Sequence, residues 1–182
     1  MPTYVIQVES GKEDYIKSLL ERSFRKYHPE IKVFFYVPKK PFYRHCCASQ
    51  AEEAGTPLVL EYKVIFPGYL FVECGQIREF DRAFADWIYE SWYHLLGKDV
   101  SGWEPLKEDE LGWIRLLSGR LSEAVIREGK LVFLSGPLVG MEQYVTKVKA
   151  SRKHVCLRIP FRGGTRDVWI AAEIESEEKE TC

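Results

Sequence analysis

At Ser118-Gly119 the chain loses its helical periodicity and does not recover it. Downstream, KLVFLSGP, EQYVTKV, HVCLRIPF and DVWIAAEIE are short alternating runs separated by turn residues, with no room for a helix between them. About fifty residues of such strands bury a core only by closing on themselves, so a small all-β barrel is predicted. Upstream the pattern differs. TYVIQV (3–8) reads as a buried strand. SGKEDYIKSLLERSFRKYH reads as a helix opened by a Ser10–Glu13 capping box and ended by Pro29. Tyr15, Ile16, Leu19, Leu20, Phe24 and Tyr27 fall on its predicted apolar face. IKVFFYV (31–37) is a strand with Phe34 and Tyr36 on one side and Phe35 on the other. Residues 38–62, with three prolines and no period, read as an extended hairpin. Lys63–Glu73 is a strand, 79–90 a helix, SWYHLLG a short strand and EPLKEDELGWIRLLSG a third helix. Strand-helix-strand-strand-helix-strand is the ferredoxin-like split βαβ order of an α+β domain, here with one extra helix. The predicted boundaries are 1–118 for this domain, 119–127 for a linker, 128–175 for the barrel and 176–182 for an acidic tail.

Several functional classes are excluded by what the chain lacks. It has no phosphate-binding loop, nucleophile elbow or HExxH, and Asp109-Glu110 lies where acids belong in a helix's first turns, so no catalytic residue is assigned. The five cysteines (46, 47, 74, 156 and 182) form no CxxC, so neither a metal nor a cofactor is implied and reduced thiols are expected. No apolar run reaches the roughly 20 residues of a membrane helix. The N-terminus turns polar where a signal peptide continues apolar, which predicts a cytoplasmic protein.

Charge is uneven although the net is only −1. Residues 1–117 carry 15 basic and 18 acidic side chains, whereas 130–166 carry eight basic ones (Lys130, Lys147, Lys149, Arg152, Lys153, Arg158, Arg162, Arg166) against Glu142 alone. A local surplus of seven positive charges predicts an anionic partner for that block. Lys147, Lys149, Arg152 and Lys153 straddle a predicted hairpin turn, Arg162 and Arg166 flank Gly163-Gly164, a second predicted turn, and Arg forks suit phosphate. With His154, Tyr144 or Trp169 to stack bases, the set is a candidate RNA-binding surface; the plainer reading is a solvated face.

FPGYLFVEC (66–74) raises a competing possibility, because GYLFVE approaches the third-strand signature of an RNA-recognition motif. Pro67, Leu70 and Cys74 stand at positions where that motif places a basic, a small and an aromatic residue, and the surrounding segment is net acidic, which opposes RNA. Pro67-Gly68 predicts instead a kinked strand end that turns Phe66 and Tyr69 outward, against the alternative that both rings are core.

Taken together, YVIQVESGKE, IFPGYLFVE, PLKEDELGWI and GKLVFLSGPLVGMEQYVTKV resemble, in order and spacing, the NusG family of transcription elongation factors. The resemblance implies an NGN-type N-terminal domain that binds the clamp helices of RNA polymerase, followed by a KOW barrel, with no enzymatic activity. Tyr4, Phe34, Tyr36, Phe66, Tyr69 and Tyr93 are its candidate polymerase-binding residues. Thr3 stands where the family usually has tryptophan, Leu138 and Met141 where phenylalanines are common, and Gln143 where a glycine is usual. With the basic block, these departures are more similar to LoaP-type antiterminators, whose KOW domain binds an RNA hairpin. The implied protein is a monomeric antitermination factor acting on polymerase and nascent RNA. The alternatives are a general factor recruiting Rho or a ribosomal protein, and a stand-alone RNA-binding protein.

Overall fold

A computed structural model of the chain describes residues 1–45, 58–88, 94–96, 98–99 and 102–176. The elements in chain order are β1 (Thr3–Gln7), α1 (Glu13–Tyr27), β2 (Val33–Tyr36), β3 (Lys39–His45), β4 (Leu58–Val64), β5 (Tyr69–Cys74), α2 (Ile77–Ile88), β6 (His94–Leu96), β7 (Lys98–Asp99), β8 (Gly102–Trp103), α3 (Glu108–Leu117), β9 (Ser122–Arg127), β10 (Lys130–Ser135), β11 (Val145–Lys149), β12 (His154–Phe161) and β13 (Gly164–Ser176). They divide between two compact units. One comprises 1–38 with 66–108, the other 39–65 with 109 onward. Among the described residues no helix is long and apolar enough to cross a membrane.

In the first unit four strands pair in the order β2-β5-β1-β6, every neighbour antiparallel, as a split βαβ chain requires. One face carries the main core. Ile6 and Val8 of β1 with its C-terminal extension, Phe35 of β2, and Leu70, Val72 and Cys74 of β5 meet Ile16, Leu20 and Phe24 of α1 and Phe80, Ala83 and Phe84 of α2. Ile16, Leu20 and Phe24 recur every four residues, so one helical face supplies all three, each burial stabilising by about 1.5–3 kcal/mol. The predicted face was wider than the real one: Tyr15 and Tyr27 are 61 % and 63 % exposed. Tyr15 stands about 100° around the helix from Ile16, off the stripe touching the sheet, whereas Tyr27 shares the stripe's direction and is exposed as the last residue of α1.

The start of α1 departs from the predicted capping box. Lys12 is the N-cap residue and no side chain caps it. Glu13 instead turns its buried carboxylate back, accepting the N–H of Gly11 at 2.9 Å and that of Gly68 at 2.7 Å. This explains why Lys63–Glu73 is not one strand. Phe66-Pro67-Gly68-Tyr69 closes a type II β-turn, with Tyr69 N–H donating to Phe66 C=O at 3.2 Å, proline at the second position and Gly68 at φ +84° in the third. A Cβ on Gly68 would lie 3.0 Å from Ser10 Oγ and 3.4 Å from the Val8 carbonyl, so glycine is required there twice over, for its φ and for its closeness.

In the second unit five strands pair in the order β10-β9-β13-β12-β11. The 13-residue β13 joins antiparallel to β12 through Gly164–Ala171 and parallel to β9 through Ala172–Ser176. Val155, Leu157, Ile159 and Phe161 alternate along β12 into one buried layer with Val168, Ile170, Ala172 and Ile174. Ser122–Arg127, expected within the linker, is thus a strand of the five-stranded sheet; buried Ser122 and Ala124 and Ala172↔Ser122 pairing place it there. Two further segments assigned to the N-terminal domain belong to this unit. The hairpin β3–β4 pairs from Lys39↔Val64 to His45↔Leu58, and α3 sets Trp113 edge-on to Tyr144 at 4.6 Å. The turn expected at Gly163-Gly164 lies one residue earlier: Arg162 and Gly163, both at positive φ, form the two-residue loop and Gly164 opens β13. Gln143 needs no left-handed backbone, because it sits in a 3-10 turn (Glu142–Tyr144) and Gly140 takes the positive φ.

Candidate nucleic-acid interface

The register of β11, β12 and β13 fixes which basic residues share a face. On the side away from the Val155–Phe161 layer, Lys149, His154 and Ala171 form one row across the strands, Lys147, Cys156 and Trp169 the next, and Arg158 and Asp167 a third. Lys147 and Lys149 are exposed, and the Lys149 ammonium stands 4.6 Å above the half-buried Trp169 ring, a cation–π pair at the centre of the surface. Arg158 forks onto Asp167 through bonds of 2.8 and 3.1 Å, and this hydrogen bond holds the Asp167 carboxyl below the usual carboxylate range. Arg152 and Arg166 are exposed at opposite ends, in the Ala150–Arg152 turn and near the start of β13. Lys130 lies elsewhere on the unit, sharing with Lys147 a shallow groove of about 480 Å³ also lined by Gln143, Thr146 and Val148. Arg162 is half-buried and donates its backbone N–H to the Glu110 carboxylate.

His154 is placed otherwise than expected. It is 7 % exposed, stacked at 4.1 Å on Phe42 of β3, and its Nε2 accepts the Tyr43 N–H at 3.2 Å. A ring so occupied has no face left for a base. Cys156 beside it is also buried. Next to them Glu173 gathers the Tyr43 hydroxyl and the Lys153 ammonium, so Lys153 is held by a carboxylate. Tyr144, packed on Trp113, is half-buried; Trp169 is the sequence-predicted stacking residue placed on the cationic face itself.

The hairpin contribution was missed. Lys40 is 8 % exposed, and burial lowers its ammonium to about 8, with Cys156 acting in the opposite direction and Lys63 lowering it further. Lys63 lies 4.2 Å over the Phe42 ring, and Lys153 5.7 Å over the Tyr43 ring. The signal was in KKPFYR (39–44), where cations and aromatics interleave as they do in the barrel.

The candidate polymerase-binding residues fall on two sides of the first unit. Phe34 is 57 % exposed, stacked at 6.0 Å on the half-buried Tyr36, which stacks at 5.5 Å on Phe71. This row occupies the sheet face away from α1 and α2. Tyr69 is half-buried. Tyr4 points the other way, into the helix-covered core at 5 % exposure. Phe66, expected to be turned outward by the kink, is 3 % exposed and 6.1 Å from Phe71: the type II turn that redirects the chain keeps the ring inside. Tyr93, Cys46 and Cys47 lie outside the described residues, as does the tail beyond Ser176. Among the described residues no three His, Cys, Asp or Glu side chains are grouped to hold a metal ion.

The described chain thus combines a helix-backed antiparallel sheet in one unit with a five-stranded sheet bearing cations on one face in the other. Among solved structures the chain is similar to NusG of Thermotoga maritima, determined in a study of domain interaction in that protein, with a TM-score of 0.52, 18 % identity and 94 % of each chain covered. No protein-family model and no curated protein matches the sequence. The fold is NusG-like.

Proposed function

We propose that this chain is a NusG-like transcription factor of the antitermination type: its first unit binds RNA polymerase, and its barrel binds structured nascent RNA. The observation that carries the RNA half is the face shared by Lys147, Lys149, Arg158 and Trp169, on which the Lys149 ammonium stands 4.6 Å over the Trp169 ring. The polymerase half rests on the NusG-like fold over 94 % of the chain and on the stacked Phe34–Tyr36 row with its exposed Phe34 ring, suited to an apolar helix face. The protein acts as a tether with no chemistry of its own, keeping the transcript beside the enzyme that made it.

Terminator read-through with purified polymerase tests this. Adding the full chain raises read-through on templates carrying a bound RNA element. Lys147→Gln/Lys149→Gln abolishes the increase while leaving polymerase capture intact, and Phe34→Ala/Tyr36→Ala loses capture. Reduced read-through on adding the protein overturns the reading in favour of a termination factor.

A further inference from the structure

We infer that the hairpin β3–β4 is part of the RNA-binding surface, so that the footprint is composite, built from segments far apart in the chain. The inference rests on the RNA reading of the barrel. The hairpin is anchored on the cationic face by Phe42 on His154 and by the Tyr43 N–H on His154 Nε2. Its described arms carry Lys39, Lys40, Arg44 and Lys63 against Glu61 alone. The Arg44 and Lys63 side chains are 47 % and 46 % exposed. The cation-over-ring arrangement continues without change of chemistry across the joint: Lys149 over Trp169 on the barrel, Lys153 over Tyr43 at the seam, Lys63 over Phe42 on the hairpin. A phosphodiester backbone matches such an array, because it asks for positive charge repeated along its track.

Glu61 regulates this extension. Its carboxylate holds Arg44 at 3.3 Å and Lys63 at 2.9 Å, and the Lys63 hydrogen bond keeps it below the ordinary carboxylate range. Exposed ion pairs of this kind are weak, so phosphate oxygens displace the carboxylate readily. RNA binding therefore exchanges an internal acid for an external one, and Glu61 sets how much the hairpin adds.

The test measures affinity of the full chain for a synthetic stem–loop RNA with single-stranded flanks, across a salt series. Arg44→Gln/Lys63→Gln weakens binding and flattens log K against log salt by about 0.7–0.9 for each phosphate no longer neutralised. Glu61→Gln tightens it by about three- to tenfold, an effect that misfolding does not mimic. Lys147→Gln/Lys149→Gln supplies the control. If the barrel pair weakens binding while all three hairpin substitutions leave affinity and slope unchanged, the composite footprint is wrong and the barrel reading stands. If the barrel pair too is without effect, both are wrong.

Discussion

Lys40 offers a quantitative check on how the hairpin meets the barrel. The residue is 8 % exposed, and none of the ion pairs among the described residues includes it. Burial lowers its pKa from 10.5 to about 8. That shift of about 2.5 units corresponds to about 3 kcal/mol of folding free energy lost at neutral pH, at 1.36 kcal/mol per unit. Lys40→Met keeps the unbranched stem and removes the charge, so it stabilises the second unit by about 2–3 kcal/mol at pH 7. The sign of the pH dependence is specific. Below about pH 8 the amine is protonated both folded and unfolded, and the deficit of the native chain is full and constant. Between about 8 and 10.5 the folded amine is neutral while the unfolded one still binds a proton, so raising the pH favours the folded state and the deficit shrinks. Above 10.5 it disappears. Urea denaturation of both proteins, followed by tryptophan fluorescence at steps from pH 7 to 10.5, reads this directly, because other titrating groups cancel in the difference. A gap that stays constant through that range, or a Met variant less stable than the parent at pH 7, refutes the buried, unpaired lysine.

Other perturbations address the remaining sites. Glu13→Ala leaves the buried Gly68 N–H without its acceptor and lowers the stability of the first unit by about 1–3 kcal/mol in denaturant titration. Gly68→Ala forces a side chain into φ +84° and to within 3.0 Å of Ser10 Oγ; it costs about 1–3 kcal/mol by the same measurement, and an unchanged midpoint rules the tight turn out as a clamp. Asp167→Asn releases Arg158 from its fork and strengthens RNA binding with a steeper salt dependence. Phe34→Ala lowers polymerase affinity by about tenfold or more without shifting the unfolding midpoint, because the ring is 57 % exposed; Tyr4→Ala does the reverse, unfolding the helix-covered core.

Much of the fold was legible because it is written in local periods. Ile16, Leu20 and Phe24 announce α1, and alternation along HVCLRIPF announces β12. What the sequence hid are pairings between distant segments. SEAVIR reads as a connector until its parallel partner, the end of β13, is known. Glu13 fits a capping box so well that its real task, holding a turn 55 residues away, has no local signature. The basic block was visible as composition, but composition is blind to which member faces what: His154 looked like a stacking residue and is committed to Phe42 and Tyr43. Phe66 and Tyr4 were grouped with Phe34 on the family resemblance, and Phe66 also on the Pro67-Gly68 kink, whereas strand parity and the type II turn send them inside.

The bonds from Tyr43 to His154 and Glu173 span 111 and 130 residues of chain. At a synthesis rate of about 5–20 residues per second, the hairpin leaves the ribosome roughly 5–25 seconds before its seat exists. During that interval Phe42 and Tyr43 have no five-stranded sheet to rest on, and a lone two-stranded hairpin is at best marginally stable in water. The order in which the chain is made thus gives the hairpin a period of independence that the finished protein does not have.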